Sequence, residues 1–507
     1  MELKRFKIYS AVSILACVVV LGIASNLSAP PNLLHQWRQC DGLSTSLNYF
    51  EEGMEFFNPK IHFQHSEDGR AVGEFPVLYY ANALVWKVTG HSHLAARLLN
   101  LLIFLTGLYY LSLLVLKVTR NKVVSICAPM IVLSSPLIAR YAPSFLPNTT
   151  ALSFVFISTY FFFKHFESDS VKDLVICVVF ASLAALMRTT MLIGYIPLIV
   201  IAVYHRFDWK RVAFMGVPLF AVLLWVIYIK GYNESSGSVY FLTKITPLWE
   251  MSLEEINGVY DLIRGNIKYL LMSSLLFYVL IVGLGIALWK KFEVDSNLLL
   301  YVSLVYWATV TYFVLWFKKV GVHDYYYVEL FILVPAIVML FGDTEFSKTK
   351  WAKIAVVVVT ALSVTSCAVK NRYVKSPSKE LNVLERVLLK GEEVGFWSWF
   401  HDNYNAKFRA FETVKPFMRE LGVERDDLVF SIQDPSPNVT LYLMDVKGYT
   451  ALYQHGKSYD EQVQWMVERG VEYLVTVDKK FVEEMSEGLV GEHLGSWENI
   501  DVWRLGE

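Results

Sequence analysis

Charge is scarce in this 507-residue chain: only 18% of residues are charged, against 55% that are hydrophobic. Such a balance excludes an ordinary soluble protein, and the length leaves room for many membrane spans plus a separate domain. Basic excess is missing too. With a net charge of -1 there is no basic face to neutralise phosphates, which excludes a nucleic-acid partner. A disulfide framework is also lacking. Of the five cysteines, Cys17, Cys127, Cys177 and Cys367 lie inside apolar runs, and Cys40 alone sits in a polar stretch. Internal repeats and low-complexity tracts are absent.

What is present is a series of apolar runs near 8–28, 94–116, 123–139, 149–163, 171–187, 190–204, 212–229, 269–289, 296–316, 327–342 and 353–370. Read as transmembrane helices they give about eleven crossings. The start, "MELKRFKIYSAVSILACVVVLGIASNLSA", has the basic and apolar regions of a signal peptide. Its run of about twenty residues suits a retained anchor better. The segments "KRFK", "KVTRNK", "KHFESDSVK", "HRFDWKR", "WKK" and "SKTKWAK" then all fall on one side, which the positive-inside rule makes cytoplasmic. A cytoplasmic N-terminus and an odd number of crossings send the first long loop (29–93), the turns around 140–148 and 188, the loop 230–268, the segment 317–326 and the tail from 371 to the extracytoplasmic face. Within the first loop, "FPVLYYANALVWKVTG" is short and aromatic-rich, as expected of a helix at the membrane interface.

From about residue 371 the composition becomes that of a soluble domain. "DDLVFSI", "VEYLVTV" and "IDVWRL" read as strands, and "NAKFRAFETVKPFMREL" and "SYDEQVQWMVERG" as helices. This alternation suggests an α/β domain with a largely parallel sheet. The expected fold class is a polytopic α-helical membrane protein, 1–370, followed by an extracytoplasmic α/β domain, 371–507.

Chemically useful side chains gather on the outer face. In "HQWRQCDGLS", residues 35–44, Asp41 lies close to the membrane surface with Arg38 three residues before it. A partly desolvated carboxylate can act as a base toward an alcohol, and an arginine can hold a phosphate. The same spacing fits an interfacial Trp37 with an Arg-Asp pair capping a helix that starts after Asp41. Glu74 precedes the Phe-Pro of "GEFPVLYY", where a carboxylate either serves a site or merely favours the positive end of a helix.

The turn "RYAPSFLPNTT" holds Arg140 and Asn148; Pro-Asn-Thr is ordinary helix-entry chemistry, and an arginine there can snorkel. Arg188, in a very short turn, is expensive unless paired, so it marks a site by default. "FKKVGVHDYYYVELF", residues 317–331, places Lys318, Lys319, His323, Asp324 and three consecutive tyrosines, Tyr325, Tyr326 and Tyr327, on the face that the charge rule keeps poor in cations. An anionic lipid head group is a reason for cations there, although tyrosines alone would make an aromatic belt. The sequons at Asn148, Asn233 and Asn438 are short triplets that arise often by chance.

The order "HQWRQCD", "EFPVLYY", "ARLLN", "FLPN" and "HDYYYVELFILVP" resembles the GT-C class of polyprenyl-phosphate-sugar-dependent glycosyltransferases, across roughly residues 5–345. The likeness is to bacterial relatives of protein mannosyltransferases and to lipid A aminoarabinose transferases. It implies a GT-C fold and transfer of a sugar from a polyprenyl-phosphate donor to a glycan, lipid or protein acceptor, with inversion, at the outer face of a bacterial inner membrane. It implies Asp41 as the catalytic base and Glu74 as an orienter of acceptor or sugar. Arg38, Arg140, Arg188, Lys318, His323, Tyr325 and Tyr326 are then candidate lipid-phosphate and substrate ligands. Where the family often has an acid after proline in the next outer turn, this chain has Asn148. No cofactor is required: Asp41 and Glu74 offer oxygen ligands to a divalent ion, but two acids without a third make a poor site.

Two rival classes are a flippase or transporter of lipid-linked sugars and a non-catalytic envelope assembly protein. The first normally needs ionisable groups or broken helices near the midplane, whereas these spans carry almost no charge away from their ends.

Overall fold

The structure is a computed structural model that describes residues 2–32, 34–66, 68–206, 208–238, 245–378, 380–454, 456–478, 480–486 and 488–506. Two compact units share the chain. One comprises Met1–Leu27, Arg97–Ile227 and Thr243–Val394, and the other Ser28–Ala96, Tyr228–Leu242 and Gly395–Glu507. The division differs from a cut at residue 370, because the first long loop clusters with the C-terminal segment.

The first unit is helical, and each apolar run falls on a helix, as a chain without water to satisfy its backbone must arrange. Among the described residues, His93–Thr119, Trp209–Ser235, Ser296–Val322, Asp324–Asp343 and Lys350–Lys375 are each long and apolar enough to cross a membrane unaided. Lys122–Leu133 and Thr189–Tyr204 are shorter apolar helices. These helices make the protein an integral membrane protein.

Several runs differ from their expected extents; the run 269–289 is one helix only over Ser274–Trp289, bent by 98° from the helix that ends at Leu271. The helix expected over 8–28 ends at Val20, and Gly22 adopts φ 62° before a short 3-10 turn at Ile23–Asn26. The run 123–139 is broken into Lys122–Leu133 and Pro136–Tyr141. Pro136 has no N–H to continue the ladder, and the Ser135 hydroxyl accepts from Ile138 N at 3.3 Å to start the new helix. Part of the expected 230–268 loop, residues 239–244, lies outside the described residues.

The second unit carries the sheet. β1 (Leu428–Ser431), β2 (Lys447–Thr450), β3 (Tyr473–Thr476), β4 (Val490–Trp497) and β5 (Ile500–Leu505) lie in the order β2-β1-β3-β5-β4. β1 pairs in parallel with β2 and β3, as expected, but β5 is antiparallel to both β3 and β4. The departure has a local cause. Trp497 pairs with Ile500 across two residues, and Glu498 takes φ 51°; so short a connection closes only an antiparallel hairpin.

One face of the sheet buries Phe430, Ile432 and Leu474 against Val463 and Met466 of the Tyr459–Val467 helix. The first long loop is stitched to the β2 edge: Gly448 N donates to His62 O at 3.1 Å, and Gln64 N donates to Gly448 O at 2.8 Å. Gly448 has φ 146°, and a Cβ there would meet Val429 O at 1.9 Å, so only glycine lets the strands approach this closely. Also in this unit, "PVLYYANALVWKVTG" forms the expected helix, Val77–Thr89, which opens after Pro76 and closes with the Gly90 N–H on Trp86 O.

Candidate active site

The helix Gln36–Glu52 begins at Gln36 and is buried along most of its length. Asp41 therefore lies inside the helix, in its second turn, and does not cap a helix that starts after it. Spacing of three places Arg38 and Asp41 on the same face, with Arg38 Nη1 at 3.6 Å from Asp41 Oδ2. Arg38 Nη2 donates to Glu74, and the Tyr79 hydroxyl donates to the other Glu74 oxygen. Burial, then the Glu74 charge, pushes the Tyr79 phenol up, so it stays a proton donor to that carboxylate. Gly42 makes room for this ring, since a Cβ at Gly42 would meet Tyr79 Cε1 at 2.4 Å.

Asp41 itself is wholly buried. Asn438 Nδ2 donates to Asp41 Oδ1 at 2.8 Å, while Asn438 Oδ1 accepts from Phe63 N at 3.1 Å. The backbone bond fixes which end of the amide faces the carboxylate. Asn438 is thus buried with both ends of its amide engaged; Asn148 and Asn233 are likewise buried. Two carboxylates share one guanidinium here, and the cleft lined by Asp41, Thr45, Glu74 and Tyr79 is about 10 Å³, room for a single water-sized sphere. A sugar enters only if these side chains move apart.

A second charged group of this unit surrounds Asp445. Although burial opposes it, the His62 ring 3.6 Å away, the Lys415 ammonium and the Arg425 charge hold this carboxyl well below the usual carboxylate range. His62 is fully buried, shares a 2.6 Å hydrogen bond with Ser44, and is pushed down mainly by burial.

The helical unit holds its own cluster. Arg140 Nη1 pairs with Asp324 Oδ2 at 3.2 Å, and the Tyr141 hydroxyl donates to Asp324 Oδ1. Arg188 Nη2 pairs with Glu329 Oε1 at 2.9 Å, the oxygen that also accepts from Thr190 at 2.6 Å. The Arg188 guanidinium lies 4.7 Å from the Tyr326 ring centroid. His323, Tyr325 and Tyr326 form a stack with centroids 5.0–6.0 Å apart. Asn148 Nδ2 donates to Tyr325 O at 3.1 Å, supporting this stack from below the turn. Lys318, by contrast, pairs with Glu255 at 3.0 Å with both side chains about half exposed. The sequence patterns give no site role to Asp324, Glu329, Tyr79 or Asn438, although Asp324 stands among the polar residues of the segment 317–331 and Asn438 in a sequon. A buried glutamate in the apolar "YYYVELF" was the one legible signal among them. Among the described residues, no group of three or more His, Cys, Asp or Glu side chains is placed to hold a metal ion.

Residues 73–230 match the family model of dolichyl-phosphate-mannose-protein mannosyltransferases. The chain is also similar to two crystal structures of ArnT from Cupriavidus metallidurans, one bound to undecaprenyl phosphate and one in the apo state. Both are 11% identical, with 97% of each chain covered and TM-scores of 0.60 and 0.59. The chain shares the fold of these ArnT structures. No curated protein matched the sequence. Of the candidate residues on this fold, Glu74, Arg140 and Arg188 fall inside the matched segment, whereas Arg38, Asp41, Lys318, His323, Tyr325 and Tyr326 lie outside it.

Proposed function

We propose that the protein transfers a sugar from a polyprenyl-phosphate donor to an acceptor hydroxyl on the extracytoplasmic face of a bacterial inner membrane, inverting the anomeric carbon. The observation that carries this reading is the buried Asp41 carboxylate, aimed by Asn438 and flanked by the Arg38–Glu74–Tyr79 network. Asp41 takes the acceptor's proton as the acceptor oxygen bonds to the anomeric carbon. The bond from that carbon to the phosphate oxygen breaks, and polyprenyl phosphate leaves with its electron pair. Glu74, held by Arg38 and Tyr79, orients a sugar or acceptor hydroxyl.

Phosphate recognition is assigned to Arg140, Arg188, His323 and Lys318, with Tyr325 and Tyr326 as the surrounding rim. Arg140 and Arg188 already carry carboxylate partners, so they serve as fixed hydrogen-bond donors with little net positive field. Such donors stabilise charge that develops on a leaving group without having to reorganise. The similar crystal structure with bound undecaprenyl phosphate supports a polyprenyl phosphate as the lipid partner. The acceptor class is a glycan, lipid or protein of the envelope, and the scheme needs no metal ion.

The test is release of free undecaprenyl phosphate from an undecaprenyl-phosphate sugar by the purified protein in nanodiscs, with an envelope extract as acceptor. The reading expects release that depends on both donor and extract. Vectorial movement of the intact donor across the bilayer without any release would establish a flippase instead.

A further inference from the structure

We propose that the C-terminal sheet carries a binding site of its own, a cleft for an uncharged saccharide at the carboxyl ends of its parallel strands. The cleft measures about 820 Å³ and is walled by Ser431–Pro435 after β1, Ala451 and Gln454 after β2, and Val477 after β3. None of the residues given a role in sugar transfer lines it. In the order β2-β1-β3 the chain leaves β1 toward one side and later returns on the other, so the connections diverge above β1. This is the crevice in which open α/β sheets bind ligands. The volume falls within the roughly 300–1,000 Å³ of small-molecule sites.

Its walls select the class of ligand. Phe408, Tyr459 and Phe481 line it, the last two with ring centroids 4.9 Å apart, and such ring faces suit the C–H faces of a pyranose. Gln454 is 95% buried, and its Oε1 has no hydrogen-bond partner among the described residues. That oxygen has no open surface of its own, so a ligand hydroxyl reaches it only when the Gln454 amide turns toward the cleft it lines. Gln433 turns its Oε1 to the N–H groups of Val477 and Asp478, and its Nε2 has no acceptor among the described residues.

Charge argues against an anion. Lys407 and Lys457 face three lining acids, Asp434, Asp460 and Glu484. The N-terminus of the Tyr459–Val467 helix is already closed by a capping box between Ser458 and Glu461, and that of Val439–Met444 by Asp434, which accepts from Thr440 N at 2.9 Å. Both Asp434 oxygens are occupied, by Ser436 and Thr440. A phosphate finds no uncommitted positive end here, whereas a neutral polyol finds ring faces, an amide acceptor and an amide donor.

Saturation-transfer NMR on the full-length protein in nanodiscs tests this, with cellobiose, chitobiose and lactose as probes and inorganic phosphate as competitor. No lipid-linked donor is added, so a protein inactive as a transferase still gives a result. The proposal expects saturation transfer to at least one disaccharide, unaffected by phosphate and reduced at least fivefold by Gln454→Leu or by Phe408→Ala at unchanged melting temperature. Transfer to none of the three sugars, transfer undiminished in both folded variants, or displacement by phosphate overturns it.

Discussion

Asn438 holds Asp41 through a 2.8 Å hydrogen bond between residues 397 positions apart in the chain. The first long loop and the C-terminal segment thus complete one carboxylate environment. Asn438→Asp sets two carboxylates at that distance, where like charge raises the pair's proton affinity. We expect activity at pH 7 to fall at least tenfold and to recover as the pH is raised. Asn438→Leu should lower activity without that recovery. Profiles of kcat/KM against pH for the two variants distinguish them, and matching profiles would remove Asn438 from the site.

In the Arg188–Glu329 pair Glu329 is wholly inaccessible and Arg188 mostly so. Glu329→Gln removes the counter-charge of a mostly buried guanidinium, which typically costs about 3–5 kcal/mol. A clear drop in melting temperature is expected, and Arg188→Met combined with Glu329→Met should restore most of it. A double variant less stable than the single one would show that the pair's hydrogen bonds, more than its charge balance, hold the turn.

His62 is buried in its neutral form, pushed down by burial and then by the Arg425 charge, against the opposing pull of Asp445. His91 is pushed down to about 4, again first by burial. Because the unfolded chain binds these protons more readily, their contribution to stability is complete above the unfolded value of about 6.5 and is lost as the pH falls toward 4. The melting temperature should decline through that window, and His62→Asn should flatten the decline without abolishing it. A melting temperature constant from pH 7 to 5 would contradict the burial of neutral imidazoles.

Much of this architecture was legible because membrane helices announce themselves by long apolar runs. The break at Ser135–Pro136 was not, since apolarity continues across it and only the proline's missing N–H interrupts the ladder. Arg38 and Asp41 were visible as a pair three apart, but the helix was expected to start after them. Nothing local marks Asn438 as a partner of Asp41, because the link is made by the packing of distant segments. Asp324 and Glu329 stood in the quoted "HDYYYVELF", yet their pairing with Arg140 and Arg188 depends on which helices are neighbours. In the sheet, β2 is only four residues long and β4 alternates weakly, so neither rose above its surroundings.

The expected outer location of the C-terminal sheet is open to a labelling test, because all five native cysteines are buried and stay silent. Cysteines introduced by Glu498→Cys in the β4–β5 turn and by Lys348→Cys on the expected cytoplasmic side report on opposite faces. In cells with a permeabilised outer layer an impermeant maleimide should label the first and spare the second. Labelling of the second alone would reverse the assignment of faces.

The most direct measurement compares wild type with Asp41→Asn in the rate of undecaprenyl phosphate release from a lipid-linked sugar. Loss of a general base typically lowers turnover by about 10²–10⁴-fold. The account predicts a fall of at least about a hundredfold with folding and donor binding retained. A variant that is folded, binds donor and releases undecaprenyl phosphate at a near-normal rate would contradict Asp41 as the base.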